Sequence, residues 1–145
     1  MIDVVEAAYP QLAGNAPEID DWTSWPARLL AQAYVETGEK DRGLALLAEI
    51  ERAVQRMRKL QGTGWVAGQE DAQIYAIRGE KERALDALEA AIDAGWMFYS
   101  YGLANDPSFD AYKDDPRFLA IVDKLGNRMA QERQWYQDHK DDPLY

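Results

Sequence analysis

The sequence predicts an all-α protein built from antiparallel helix pairs stacked side by side, and three observations carry that prediction. The chain repeats itself: Ala31, Tyr34, Gly38, Gly43, Leu44 and Leu47 are answered by Ala72, Tyr75, Gly79, Ala84, Leu85 and Leu88, each 41 positions on (72 − 31). Apolar residues between these markers recur at helical spacing. Glycines fall where each pair of helices has to reverse. One such pair cannot bury its own apolar face, so neighbours must stack to make a core.

Length and composition fit that class. With 145 residues, a hydrophobic fraction of 47% and only 6 Pro, the chain can form one domain with a real core. Its formal net charge of −10 produces a field of the wrong sign for phosphate backbones, which argues against nucleic acid as a partner. There is no cysteine, so disulfides and thiolate metal sites are excluded. No apolar run approaches the roughly 18–20 residues that span a bilayer, and no export signal is visible, so membrane insertion is not predicted. The expected compartment is the cytoplasm, or the periplasm where a parent protein is membrane-anchored.

Taken in order, residues 2–12 read as one short amphipathic helix, with Val4, Val5, Ala8 and Leu12 on one side and Pro10 disturbing its end. No partner helix precedes it, so it looks like half of a further repeat and the chain like the tail of a longer protein. Residues 13–24 are loop-like and complete the segment 1–24. The two repeats occupy 25–94. The first pair runs from Pro26, capped by Ser24, to Thr37, and from Asp41 to Leu60 with Leu44, Leu47, Ile50, Val54 and Met57 in one stripe. The second runs from Gly68 to Arg78 and from Lys81 to Asp93, with Leu85, Leu88, Ala91 and Ile92 as its stripe. The remainder, 95–138, is a capping region. In it the aromatic run Trp96, Phe98, Tyr99 and Tyr101 seals the end of the stack, and a last helix opens at Asp115-Pro116. Its stripe is Phe118, Ile121, Val122, Leu125 and Met129. The polar tail 139–145 is expected to fray.

Ala72, Tyr75, Ala84, Leu88 and Ala91 resemble the tetratricopeptide repeat, a helix-turn-helix unit of about 34 residues. The first repeat departs from that pattern at Gly43 and Ile50, the period is longer, and neither repeat has the closing Pro. Over 25–94 the resemblance implies TPR-like pairs wound into a right-handed superhelix with a C-terminal capping helix. Ala94-Gly95-Trp96, then Asp106-Pro107 with Phe109, then Asp114-Asp115-Pro116-Arg117-Phe118 is similar to the ending of certain bacterial repeat arrays. Those arrays follow an adenylate-cyclase-type catalytic domain or a winged-helix regulator. This likeness implies a regulatory or scaffolding module of a bacterial signalling protein.

Chemistry-bearing constellations are sparse. The single His139 lies in the polar tail and Ser occurs only at 24, 100 and 108, so no nucleophile sits beside a base and no enzyme activity is predicted. No cofactor is implied. Asp106, Asp110, Asp114 and Asp115 lack the spacing of a calcium loop and read as turn and helix-start residues, so no metal is predicted either. Gly62-Thr63-Gly64 with Gly68 follows a helix rather than a strand and reads as a connector. Arg52, Arg56 and Lys59 form a basic stripe at i, i+4 and i+7. It is a solvated face paired with nearby Glu, or, on the alternative reading, a dock for an acidic partner.

The concave wall of such a stack would present Trp25, Arg28, Gln32 and Glu36 from the first pair and Val66, Gln69, Gln73 and Ile77 from the second. That mixture of amide, charge and aromatic groups suits an extended peptide. Chaperone-binding members of the family clamp a terminal carboxylate with Lys and Asn; Arg28 and Gln32 stand at those positions, so that activity is not implied. The leading expectation is a non-catalytic protein-interaction module with a protein or peptide partner. Two alternatives remain: a small-molecule sensor with its ligand near Trp65 and Trp96, and self-association as a homodimer through the apolar N-terminal end.

Overall fold

The computed structural model describes all residues except Asn15, Asp21, 62–67, 97–99 and 143–145, together with the side chains of all described residues but Gln61, Ser100 and Tyr101. The Gly62-Thr63-Gly64 connector, Trp65, Val66, Phe98, Tyr99 and the side chain of Tyr101 therefore lie outside what is described. The protein is all-α, with no strand among the described residues. In order, the elements are α1 (Ile2–Ala8), a 3₁₀ turn (Pro10–Leu12), α2 (Ser24–Glu36), α3 (Lys40–Gln61), α4 (Gln69–Arg78) and α5 (Lys81–Asp93). Then come α6 (Ser100–Ala104), a 3₁₀ helix (Pro107–Tyr112) and α7 (Pro116–His139).

The first segment differs from its expected form. Pro10 has no N–H to continue a helix, so α1 stops at Ala8 and a separate 3₁₀ turn follows. Val4 faces solvent at 71% exposure, while Ile2, Val5 and Tyr9 pack inward beside buried Leu12. A three-residue contact fastens α1 to the body. The Tyr34 hydroxyl donates to the Glu6 carboxylate, and Arg42 donates to the same oxygen at 2.7 Å. The Tyr34 hydrogen bond, seconded by Arg42, holds the Glu6 carboxyl below its ordinary range.

Ser24 is not a cap. It is already helical, and Asp20 organises the start of α2 instead. The Asp20 carboxylate accepts from the N–H groups of Trp22 and Thr23 at 2.9 and 2.8 Å, while the Asp20 N–H donates to the Thr23 hydroxyl. These bonds, that of the Thr23 N–H first, hold the Asp20 carboxyl low.

α2 and α3 pack along one another as a hairpin, as do α4 and α5. Gly38 and Gly79 make the two reversals at φ of 95° and 79°, a left-handed conformation that side chains with a Cβ adopt only under strain. At Gly79 the helix end is closed by Glu80 N–H donating to Tyr75 C=O at 2.9 Å. Matching contacts recur 41 positions apart: Arg42 lies 4.1 Å over the Tyr34 ring and Arg83 lies 4.0 Å over the Tyr75 ring. Each arginine also pairs with a glutamate three residues earlier, Glu39 and Glu80. The hairpins differ at one point. A Cβ on Gly43 would come within 2.6 Å of Val35 Cγ2 and 2.7 Å of the Ala31 carbonyl, so α2 and α3 approach too closely there for the alanine that Ala84 supplies in the second hairpin.

The core has two parts, and α4 is the wall between them. Ile74 joins Leu30, Tyr34, Leu47, Ile50 and Val54 on one side. Ala72 and Ala76 join Leu85, Leu88, Ile92 and Phe118 on the other. The end of the stack is sealed by Leu103, Phe109, Tyr112 and Phe118, all buried, with Phe109 and Phe118 stacked at 5.4 Å between centroids. From the predicted aromatic run, Trp96 packs half-buried against this cluster. Asp115 caps α7 by accepting from the N–H groups of Arg117 and Phe118, as its Asp-Pro start predicts. Arg117 ties α7 to α5 through Glu82, Asp86 and Glu89. Beyond Met129, α7 is exposed; Trp135 is 60% exposed and stacks on His139 at 4.5 Å. No helix among the described residues is long and apolar enough to cross a membrane.

Candidate functional site

Helices α2 and α4 lie side by side, and their first turns open onto a cleft of about 380 Å³. Trp25, Arg28 and Leu29 enter it from α2, and Gln69 and Gln73 from α4. The opposite wall is Trp96 with the segment from Gly102 to Pro107. Four of the predicted groove residues, Trp25, Arg28, Gln69 and Gln73, are therefore gathered around one space. Val66 lies outside the described residues, and the other three are not gathered there. Gln32 is buried one turn beyond Arg28, Glu36 is exposed, and Ile77 packs against the core shared by α2 and α3.

The predicted open groove is corrected in depth as well as length. Trp25 is 61% exposed, but Arg28, Gln32 and Gln73 retain only 7%, 8% and 1% of their exposure. The cause is a stretch of the chain itself, which crosses the wall. Gln32 Nε2 donates to the Pro107 carbonyl at 2.9 Å and to Glu36 at 2.7 Å. Gln73 Nε2 donates to the Asp106 carboxylate, whose second oxygen accepts from Ser108 N–H at 2.9 Å. The Tyr112 hydroxyl donates to the Ala76 carbonyl at 3.3 Å. The two glutamines, 41 positions apart, thus hold consecutive residues of one segment.

Arg28 is the electrostatic centre of this arrangement. Burial lowers its pKa, opposed by the carboxylates of Asp106 and Glu70. Glu70 shows the complementary effect: burial raises its carboxyl pKa, while Arg28 and Arg58 pull it back down. The buried Glu70 Oε2, Gln32 Oε1 and Gln73 Oε1 have no hydrogen-bond partner among the described residues. Two of these three acceptors, those of Gln32 and Gln73, belong to buried side chains. Sequence reasoning named the glutamines but missed Asp106 and Pro107 as their partners, because the contacts span 33 and 75 positions and leave no local signal.

The remaining constellations have ordinary roles. Asp106 and Asp115 start helices, Asp110 pairs with Lys113, and no cluster of His, Asp or Glu able to hold a metal occurs among the described residues. Arg52 pairs with Glu49 on the solvated surface, and Arg56 and Lys59 are exposed beside it. Arg56 borders a shallow depression with Ile19, Trp22, Met57 and Leu60.

Fold and cleft together define a helical-hairpin protein with a cleft between two hairpins whose lining mixes indole and aliphatic side chains with Arg28, Gln69, Gln73 and Asp106. Comparison with family models, with curated proteins and with solved structures finds no match.

Proposed function

We propose that this chain is a non-catalytic interaction and regulatory module of TPR-like superhelical architecture that docks a peptide of a partner protein at the mouth of the α2–α4 cleft. The observation that supports it is the convergence of exposed Trp25 with Gln69, Gln73 and buried Arg28 on one concavity. An indole offers apolar area, and amides and guanidinium offer main-chain hydrogen bonds, which is the mixture peptide recognition uses. The matched Tyr34–Arg42 and Tyr75–Arg83 contacts support the repeat architecture.

The test is selection of a displayed peptide library on the intact protein, followed by binding to Trp25→Ala and Gln69→Ala. Both residues lie at the rim, so the variants keep the fold. Enriched peptides should lose affinity for both variants. Peptides that bind the variants as tightly as the parent protein would place docking elsewhere.

A second reading, small-molecule sensing, is favoured by a different observation: residues 106–107 cross the wall of the cleft, and Gln73, which borders it, carries a buried Oε1 without a donor among the described residues. Trp96, one of the two tryptophans named for the sensor alternative, borders this space, while Trp65 lies outside the described residues.

A further inference from the structure

We propose that the deep cleft between α2, α4 and residues 102–107 binds a compact, uncharged ligand carrying an amide-type N–H beside a carbonyl, of the lactam or ureide class. This rests on the sensor reading and adds the ligand's chemistry to it.

Gln73 supplies the first requirement. Its side chain is 1% exposed and borders the cleft, and its buried Oε1 has no partner among the described residues. The orientation of the amide is set chemically: Nε2 donates to the Asp106 carboxylate, and the reversed amide would press its oxygen against that negative charge. The atom that awaits a partner is therefore an acceptor, and the ligand must bring an N–H.

Arg28 supplies the second. Its guanidinium, 7% exposed, borders the same cleft and has only donors to offer, so the ligand must also bring an oxygen. That oxygen need not be charged. Asp106 lines the same cleft and, with Glu70, already acts electrostatically on Arg28, so an incoming anion meets the Asp106 carboxylate and an incoming cation meets the guanidinium. A neutral group with donor and acceptor side by side meets neither penalty.

Shape supplies the third. The hydrogen bonds from Gln32 to Pro107 and from Tyr112 to Ala76 hold the chain's own segment where an extended peptide would continue. What is left, about 380 Å³, sits at the small end of the roughly 300–1,000 Å³ range of ligand pockets. Trp25 and Trp96 border it with indole rings, against which a planar ring can stack.

The test follows the backbone amide, glutamine side-chain and indole N–H resonances of the full chain by NMR while uracil, 2-pyrrolidinone, 1,3-dimethyluracil, benzoate and benzamidine are titrated. Uracil and 2-pyrrolidinone should give saturable shifts at Gln73, Trp25 and Trp96. 1,3-Dimethyluracil, which keeps the ring and carbonyls but has no N–H, should bind about tenfold more weakly, the worth of one net hydrogen bond. Trp25→Ala, on an exposed side chain, should weaken uracil binding with the melting temperature unchanged. Gln73→Met, checked for folding by circular dichroism, should abolish it. Tighter binding of benzoate or benzamidine than uracil, or equal binding of the dimethyl compound, overturns the ligand class and leaves the sensor reading standing. Shifts that ignore both substitutions, or no saturable shift from any of the five probes, overturn both.

Discussion

Replacing Gly43 by alanine sets two physical effects against each other, and the structure says which wins. Helix propensity alone favours alanine over glycine by about 0.8–1.0 kcal/mol in a helix interior. Gly43 is inside α3, where the added Cβ would lie 2.6 Å from Val35 Cγ2, 2.7 Å from the Ala31 carbonyl oxygen and 3.1 Å from the Val35 nitrogen. Rotating Val35 relieves only the first of these. The other two are backbone atoms of α2, so the hairpin itself has to open. Overpacking of this kind costs about 1–3 kcal/mol, which leaves Gly43→Ala destabilised by up to about 2 kcal/mol after the propensity gain. For a chain of this size that is a melting temperature lowered by up to roughly 8 °C. Urea unfolding followed by far-ultraviolet circular dichroism measures it. The reciprocal change, Ala84→Gly, removes a fully buried methyl and helix propensity together and should also destabilise, by about 1–2 kcal/mol. A Gly43→Ala protein more stable than the parent would refute the close approach of α2 and α3.

Two further outcomes follow from named contacts. The folded-state pKa of Glu6 is depressed, so its contribution is present above the ordinary carboxyl value and is lost as pH falls through the folded one. Hydrogen exchange of the α1 amides, corrected for intrinsic rates, should therefore lose protection below about pH 4 in the parent protein. The same loss should be absent from Glu6→Gln, whose α1 starts less protected. Phe118→Ala removes a ring that is 1% exposed and stacked on Phe109, and should cost about 3–5 kcal/mol by urea unfolding, against little effect for Leu119→Ala on the exposed side of the same helix.

What was legible in the sequence was whatever depends on nearby residues. The helix pairs, the glycine reversals and the Asp115-Pro116 start all rest on contacts within a few positions, and each was placed to within two residues at its ends. The Arg42 and Arg83 contacts were not anticipated, although Glu39-x-x-Arg42 and Glu80-x-x-Arg83 stand at the same 41-residue displacement as the tyrosines they cover and carry that signal. Ser24 was mistaken for a cap because any hydroxyl before a Pro looks like one. The carboxylate that does the work sits four residues earlier, in a turn whose bonds no periodicity reveals. The groove was misjudged for a more general reason. Arg28 and Gln73 border one cleft and Gln32 lies a turn beyond it, but helical spacing cannot say whether such residues face water. Residues 106–107 return across the cleft wall from 33 positions beyond Gln73, held there by the glutamines' own hydrogen bonds to Asp106 and Pro107, which leave no local pattern in the sequence.

The buried acceptors also bear on how a ligand would act. An unpaired acceptor in a low-dielectric site costs about 1–3 kcal/mol, a penalty the free protein carries at Gln73 and again at Gln32. A ligand N–H removes the penalty at Gln73 only in the folded state, so binding and folding are linked. At a ligand concentration a hundred times Kd, the gain in stability is about 2.7 kcal/mol. The gain falls at a particular place. Arg28 belongs to α2, Gln73 to α4, and Asp106 to the segment that leads into the seal around Phe109, so one small molecule would touch the first hairpin, the second hairpin and the end of the stack. Because α4 is the wall common to both cores, loosening it separates the two hairpins, and tightening it joins them. A ligand held between Arg28 and Gln73 would therefore change how firmly the two hairpins are coupled, without moving any element far. That is the property a regulatory module needs if occupancy is to be read by a partner bound at the mouth of the same cleft.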